Sequence, residues 1–134
     1  MKKILLSLFL SLMLVLTACG GNVRNVKKTV GESQQFTAQE IEDAMDTAIH
    51  YFAKEFNGCT MTEIIYSESA SHDAAAEWAV QYGADEGIVL LSTFEVDETG
   101  GDGSLNPGST YRNWQWILVR TDGGDWELKT WGYG

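Results

Sequence analysis

Residues Phe36–Gly58 read FTAQEIEDAMDTAIHYFAKEFNG. Thr37 followed three residues later by Glu40 is a capping box: each side chain takes up a backbone N–H that the helix start leaves open. Phe36 ahead of the cap and Ile41 behind it form a hydrophobic staple. Ile41, Met45, Ala48, Ile49, Phe52 and Phe56 recur at helical spacing. Asn57-Gly58 supplies the stop. The stretch is a long amphipathic helix, and its apolar stripe needs a surface to cover.

Downstream of it, that surface reads as a sheet. Thr60–Glu68, TMTEIIYSE, alternates and is rich in β-formers. Ser71–Gly83, SHDAAAEWAVQYG, predicts a second, shorter helix ending at the glycine. Gly87–Glu98 is apolar on both faces from Ile88 to Leu91 and then alternates. Tyr111–Asp122 and Asp125–Tyr133 are two more strands, joined through TDGGDW, whose glycines permit a tight turn. The order helix, strand, helix, strand, strand, strand makes an α+β domain, with the long helix across an antiparallel sheet of about four strands.

The N-terminus carries Lys2 and Lys3, then an apolar run, ILLSLFLSLMLVL, over residues 4–16. A spanning helix needs about 20 residues, so the run fits a signal-peptide core. It ends in Leu16-Thr17-Ala18-Cys19, which resembles the lipobox of bacterial lipoproteins at all four positions. The resemblance implies removal of residues 1–18 and a diacylglycerol thioether on Cys19. It places the protein on the extracytoplasmic face of the cell membrane, the two acyl chains giving a stable anchor. The chain has two cysteines, so lipidation of one leaves no internal disulfide. Cys59 reads as a small buried hydrophobe. Residues 20–35, GGNVRNVKKTVGESQQ, show little apolar periodicity and read as a flexible tether.

Charge divides the chain. The tether holds Arg24, Lys27 and Lys28 against Glu32, which suits an anionic lipid surface. Residues 36–134 hold the remaining acids against four Lys and Arg, within an overall charge of −10. So acidic a domain repels nucleic acid. Its length supports one core.

Residues Phe94–Arg120, FEVDETGGDGSLNPGSTYRNWQWILVR, followed by WELKTWGYG, resemble the C-terminal half of a small domain found in Gram-positive lipoproteins and in extracellular parts of membrane sensors. That family is similar to the nuclear-transport-factor-two-like cone fold. The resemblance implies a strongly curved antiparallel sheet under the long helix. It carries over no catalytic residues, and the cone fold hosts enzymes, binders and adaptors alike.

The chemistry-bearing residues are few. The loop Asp97–Thr110, DETGGDGSLNPGST, offers Asp97, Glu98 and Asp102 as weak metal candidates. An EF-hand register from Asp97 puts glycine at its fifth and twelfth positions, where oxygen ligands belong. A toxin-type repeat would need an acid where Leu105 stands. A long hairpin connection is the better reading. His50 lies about 160° from the centre of the helical stripe and faces water. His72 beside Asp73 is a helix-start residue more than a general base. Glu55 lies about 60° from the stripe's centre, at the edge of any pocket under the helix. Trp114 and Trp116 alternate onto one face of their strand, with Arg112 and Arg120 on that face at its ends. Trp126 and Trp131 fall on opposite faces of the next strand.

Trp114, Trp116, Arg112, Arg120 and Glu55 are therefore the ligand-binding candidates. No phosphate loop, paired His or Cys metal spacing, or nucleophile elbow accompanies them, so no cofactor is expected. The sequence points to a non-enzymatic binding module for a peptide, a cell-wall fragment or an envelope protein. The alternative is a small hydrolase or isomerase with a cone pocket, which would need a buried acid or base.

Overall fold

A computed structural model describes residues 20–101 and 103–133. The signal segment, Cys19 and Asp102 lie outside the described residues. In chain order the elements are β1 (Lys27–Val30), α1 (Ala38–Glu55), β2 (Cys59–Tyr66), α2 (Glu68–Gln81), β3 (Glu86–Val96), β4 (Thr110–Arg120) and β5 (Glu127–Gly132). The five strands form one sheet in the order β1-β2-β3-β4-β5. The sheet is mixed: β1 runs parallel to β2, and every other neighbouring pair is antiparallel.

α1 forms as its sequence dictates. Thr37 Oγ1 accepts from the Glu40 N–H at 3.1 Å, and the Glu40 carboxylate accepts from the Thr37 N–H at 2.9 Å. Ile41, Ala44, Met45, Ala48 and Phe52 are buried. They meet Met61, Ile64, Ile88, Leu90, Phe94, Trp116 and Leu118 on one face of the sheet.

The other face is covered by α2. Val89 and Ile117, paired across β3 and β4, turn away from α1 and pack on Ala75 and Trp78. This accounts for the uninterrupted apolar run in β3, which is covered on both sides. α2 approaches so closely that a Cβ on Gly87 would lie 2.5 Å from the Ala75 carbonyl oxygen. The buried Ser71 hydroxyl accepts from the Val89 N–H at 2.9 Å, satisfying a backbone donor that β2 is too short to reach. α2 spans 14 residues, more than the short helix expected, and begins at Glu68.

Residues 20–35 are not a tether. Gly21 N–H donates to the Ala53 carbonyl at 3.0 Å, and Asn22 bridges to Thr60. β1 then pairs along β2 from Lys27–Glu63 to Val30–Tyr66. Val23, Val26 and Val30 pack on the main core, and Lys28 forms an ion pair with Asp46 of α1. These valines stand three and four residues apart, which is not a strand alternation, so their place at a sheet edge was not legible as a pattern. Gly31 allows close passage over β2: a Cβ there would lie 2.6 Å from the Tyr66 carbonyl oxygen. Glu68 fixes the turn into α1, accepting from the backbone N–H of Gln34 at 3.0 Å and from the Ser33 hydroxyl.

Candidate functional site

A cavity of about 240 Å³ opens where the C-terminal end of α1 meets β4 and β5. Tyr51, Glu55, Phe56 and Asn57 line it from α1 and its cap, Trp114 and Trp131 from the sheet, Cys59 from β2, and Ser104 and Leu105 from the long loop. Tyr51 and Glu55 share one side of α1 at a spacing of four. The Tyr51 ring centroid lies 4.5 Å from that of Trp131 and 6.4 Å from that of Phe56. Phe56 in turn meets Trp114 edge-on at 6.2 Å. Burial raises the Tyr51 hydroxyl pKa first, and the nearby Glu55 charge adds to it. The mouth thus has aromatic walls and a carboxylate on its exposed rim.

The sheet builds this wall with two irregularities. Ser92 pairs with Trp114 but Phe94 pairs with Tyr111, so β4 carries one extra residue, with Asn113 at φ 56°. The bulge re-aims the strand. Tyr111, not Arg112, joins the face of Trp114 and stacks on Phe94 at 5.2 Å, while Arg112 is exposed. The expectation that Arg112 shares the tryptophan face is therefore corrected. In β5, Thr130 pairs with Ile117 and Leu128 with Leu118, leaving Lys129 extra. This brings Trp131 to the α1 side, where Trp126 also lies; the expected opposite faces are corrected too. Trp126 is buried, with its Nε1–H donating to the Glu40 carbonyl at 2.9 Å.

The other sequence candidates separate. Trp116 is core: it is fully buried, and its Nε1–H donates to Ser92 Oγ at 2.8 Å. Trp114 lines the cavity, and its Nε1 is buried with no hydrogen-bond partner among the described residues. Arg120 sits at the far end of β4, held by Glu40 and by Glu86 at 3.0 Å, its guanidinium 4.4 Å from the Trp126 ring centroid. That is a clamp between the start of α1 and the sheet. Glu55 is at the cavity.

Asp97 turns into its own loop. It accepts from the Thr99 hydroxyl and N–H, the latter at 2.9 Å, and these bonds hold its carboxyl below the usual range. Glu98 is exposed. Among the described residues no group of three or more His, Cys, Asp or Glu stands where it could hold a metal ion. His50 is exposed, and His72 faces Gln35 at 3.4 Å rather than Asp73. The Cys59 thiol is buried.

A larger depression of about 890 Å³ lies over the Gly31–Ala38 turn. It is open; of its two carboxylates, Glu68 is already taken up by Ser33, Gln34 and Gln35, and Glu32 is exposed. The aromatic cavity is the better candidate because it is more enclosed and four aromatic side chains line it. Sequence reasoning found Trp114 and Glu55 but missed Tyr51 and Trp131. The spacing of Tyr51 from Glu55 was available as a signal; the β5 bulge was not. Comparison with protein-family models, with curated proteins and with solved structures finds no match for this chain.

Proposed function

We propose that this chain is a lipoprotein anchored through Cys19 on the extracytoplasmic face of the cell membrane. Its single domain, cone-like in the curvature of its sheet around α1, binds a small ligand without catalysis. The observation that carries the binding reading is the aromatic cavity at the end of α1. Anchoring rests on the Leu16-Thr17-Ala18-Cys19 motif after a short apolar run. The rival enzyme reading needs an acid or base inside the cavity. Glu55 is the one carboxylate among the lining residues, and it stands on the exposed rim.

Two measurements test the two halves. Cys19→Ser expressed in the native membrane is expected to keep its signal segment and lose the lipid; a processed, lipid-bearing product from that variant would refute the anchor. The five tryptophan indole N–H signals report separately on core and cavity in NMR. A small-molecule fragment screen is expected to move Trp114 and Trp131 while Trp116 and Trp126 stay still. If no fragment moves the cavity pair, the binding reading falls.

A further inference from the structure

The cavity's chemistry narrows its ligand. Four aromatic side chains line it, Tyr51, Phe56, Trp114 and Trp131, and the face of an aromatic ring is electron-rich. Glu55 adds a carboxylate at the mouth, and no Lys, Arg or His is among the lining residues. Aromatic faces attract cations through the ring quadrupole, tryptophan most strongly. Its volume of about 240 Å³ is below the ~300 Å³ at which drug-sized sites begin, so it holds a single head group or side-chain terminus. The strongly acidic domain raises the local concentration of cations and depletes anions.

Position adds a second constraint. The chain segment that follows Cys19 is seated beside this end of α1. Gly20 lies so close that a Cβ would meet the Ala53 carbonyl oxygen at 2.1 Å, and Gly21 N–H bonds that same carbonyl. Glu55, Phe56 and Asn57 follow directly. Gly20, the residue after Cys19, and the cavity therefore belong to the same end of the molecule.

We infer that the aromatic cavity takes an alkylammonium group, with Tyr51 and Trp131 facing the cation and Glu55 neutralising it. This rests on the binding reading above. The same group is offered by a lipid head group beside the anchor or by a soluble amine, and the test distinguishes these sources.

The test uses the mature protein, with choline chloride as probe and its neutral isostere 3,3-dimethylbutan-1-ol as control. Choline is expected to shift the Trp131 indole signal, while the isostere at equal concentration does not. Glu55→Gln, an exposed change at a helix end, is expected to weaken choline about two- to fivefold. Trp131→Leu keeps apolar bulk but removes the ring, and is expected to weaken it about tenfold. Raised salt weakens the wild type more than Glu55→Gln. Equal binding of the isostere, or no effect of Glu55→Gln, overturns the cation assignment. Neutral fragments moving Trp131 where choline does not also overturns it, yet leaves the binding reading standing; silence from every probe sinks both. For the source, lipidated protein is placed in phosphatidylglycerol vesicles with and without phosphatidylcholine. A Trp131 shift induced by phosphatidylcholine and competed by free choline assigns the lipid head group; a shift seen with free choline alone assigns a soluble amine.

Discussion

Phe52 is the residue on which the main core turns. Its ring is fully buried, stacks on Phe56 at 4.8 Å and meets Phe94 and Trp116 edge-on. Phe52→Ala leaves a cavity that few neighbours can close and is expected to cost about 3–5 kcal/mol in denaturant unfolding. His50, two positions away and exposed, is expected to cost less than about 0.5 kcal/mol on replacement by alanine. Equal small losses would mean that α1 does not dock on the sheet. Gly87 is a different kind of residue. Its backbone asks for no unusual angle, yet any side chain strikes the Ala75 carbonyl. Gly87→Ala is expected to cost about 1–3 kcal/mol by pushing α2 off β3; a neutral effect would show that α2 rides loosely. Phe52 was legible from spacing alone. Gly87 was not, because a glycine needed for close approach looks in sequence like any strand glycine.

At the scale of elements, α1 announced itself through its cap, staple, stripe and stop, each a local rule obeyed in turn. β2 to β5 followed from alternation to within a few residues. What escaped was whatever depends on a partner strand. A bulge is a mismatch between two strands, and the extra residues in β4 and β5 have no signature in either strand alone. Alternation alone therefore puts Arg112 on the tryptophan face and Trp131 on the face opposite Trp126, and shows only half of the cavity. β1 escaped for a related reason: four residues with two lysines carry little apolar signal, and a parallel pairing to β2 supplies what they lack. A fragment beginning at Phe36 is therefore expected to be less stable than one beginning at Gly20. Partial burial of Val23, Val26 and Val30 is worth about 3 kcal/mol, and removal uncovers part of the core beneath them. Urea unfolding of the two fragments with equal midpoints would return residues 20–35 to the status of a tether.

Across the whole molecule, three carboxylates close the junctions between elements. Glu40 joins the start of α1 to Arg120, Glu68 joins the turn after β1 to α2, and Asp97 holds the long loop. All three have depressed pKa values, and in each case the cause is hydrogen bonding to the charged form: for Glu40 first the Thr37 backbone and then Arg120, for Glu68 first Ser33, for Asp97 first Thr99. A carboxyl whose folded pKa lies below its unfolded value stabilises fully above the unfolded value. That contribution is lost as pH falls through the folded one. Relief of repulsion within an acidic domain works the other way, and salt screens it. At physiological salt the melting temperature is therefore expected to fall as pH drops below the ordinary carboxylate range. Glu40→Gln keeps an acceptor for the Thr37 N–H but loses the charge facing Arg120, so it is expected to flatten part of that fall. An unchanged slope would remove Glu40 from the account.

The seat of Gly21 on Ala53 also sets how the protein carries load. If the chain is pulled from its N-terminal side, tension enters at Gly20 and meets a few hydrogen bonds in series: Gly21 to Ala53, then Asn22 to Cys59 and Met61. The edge strand behind them is held along one side only. Under force this segment peels away first, bond by bond, and lengthens before α1 and the four antiparallel strands feel the strain. The molecule so built has a short extensible leash that stays stowed at rest.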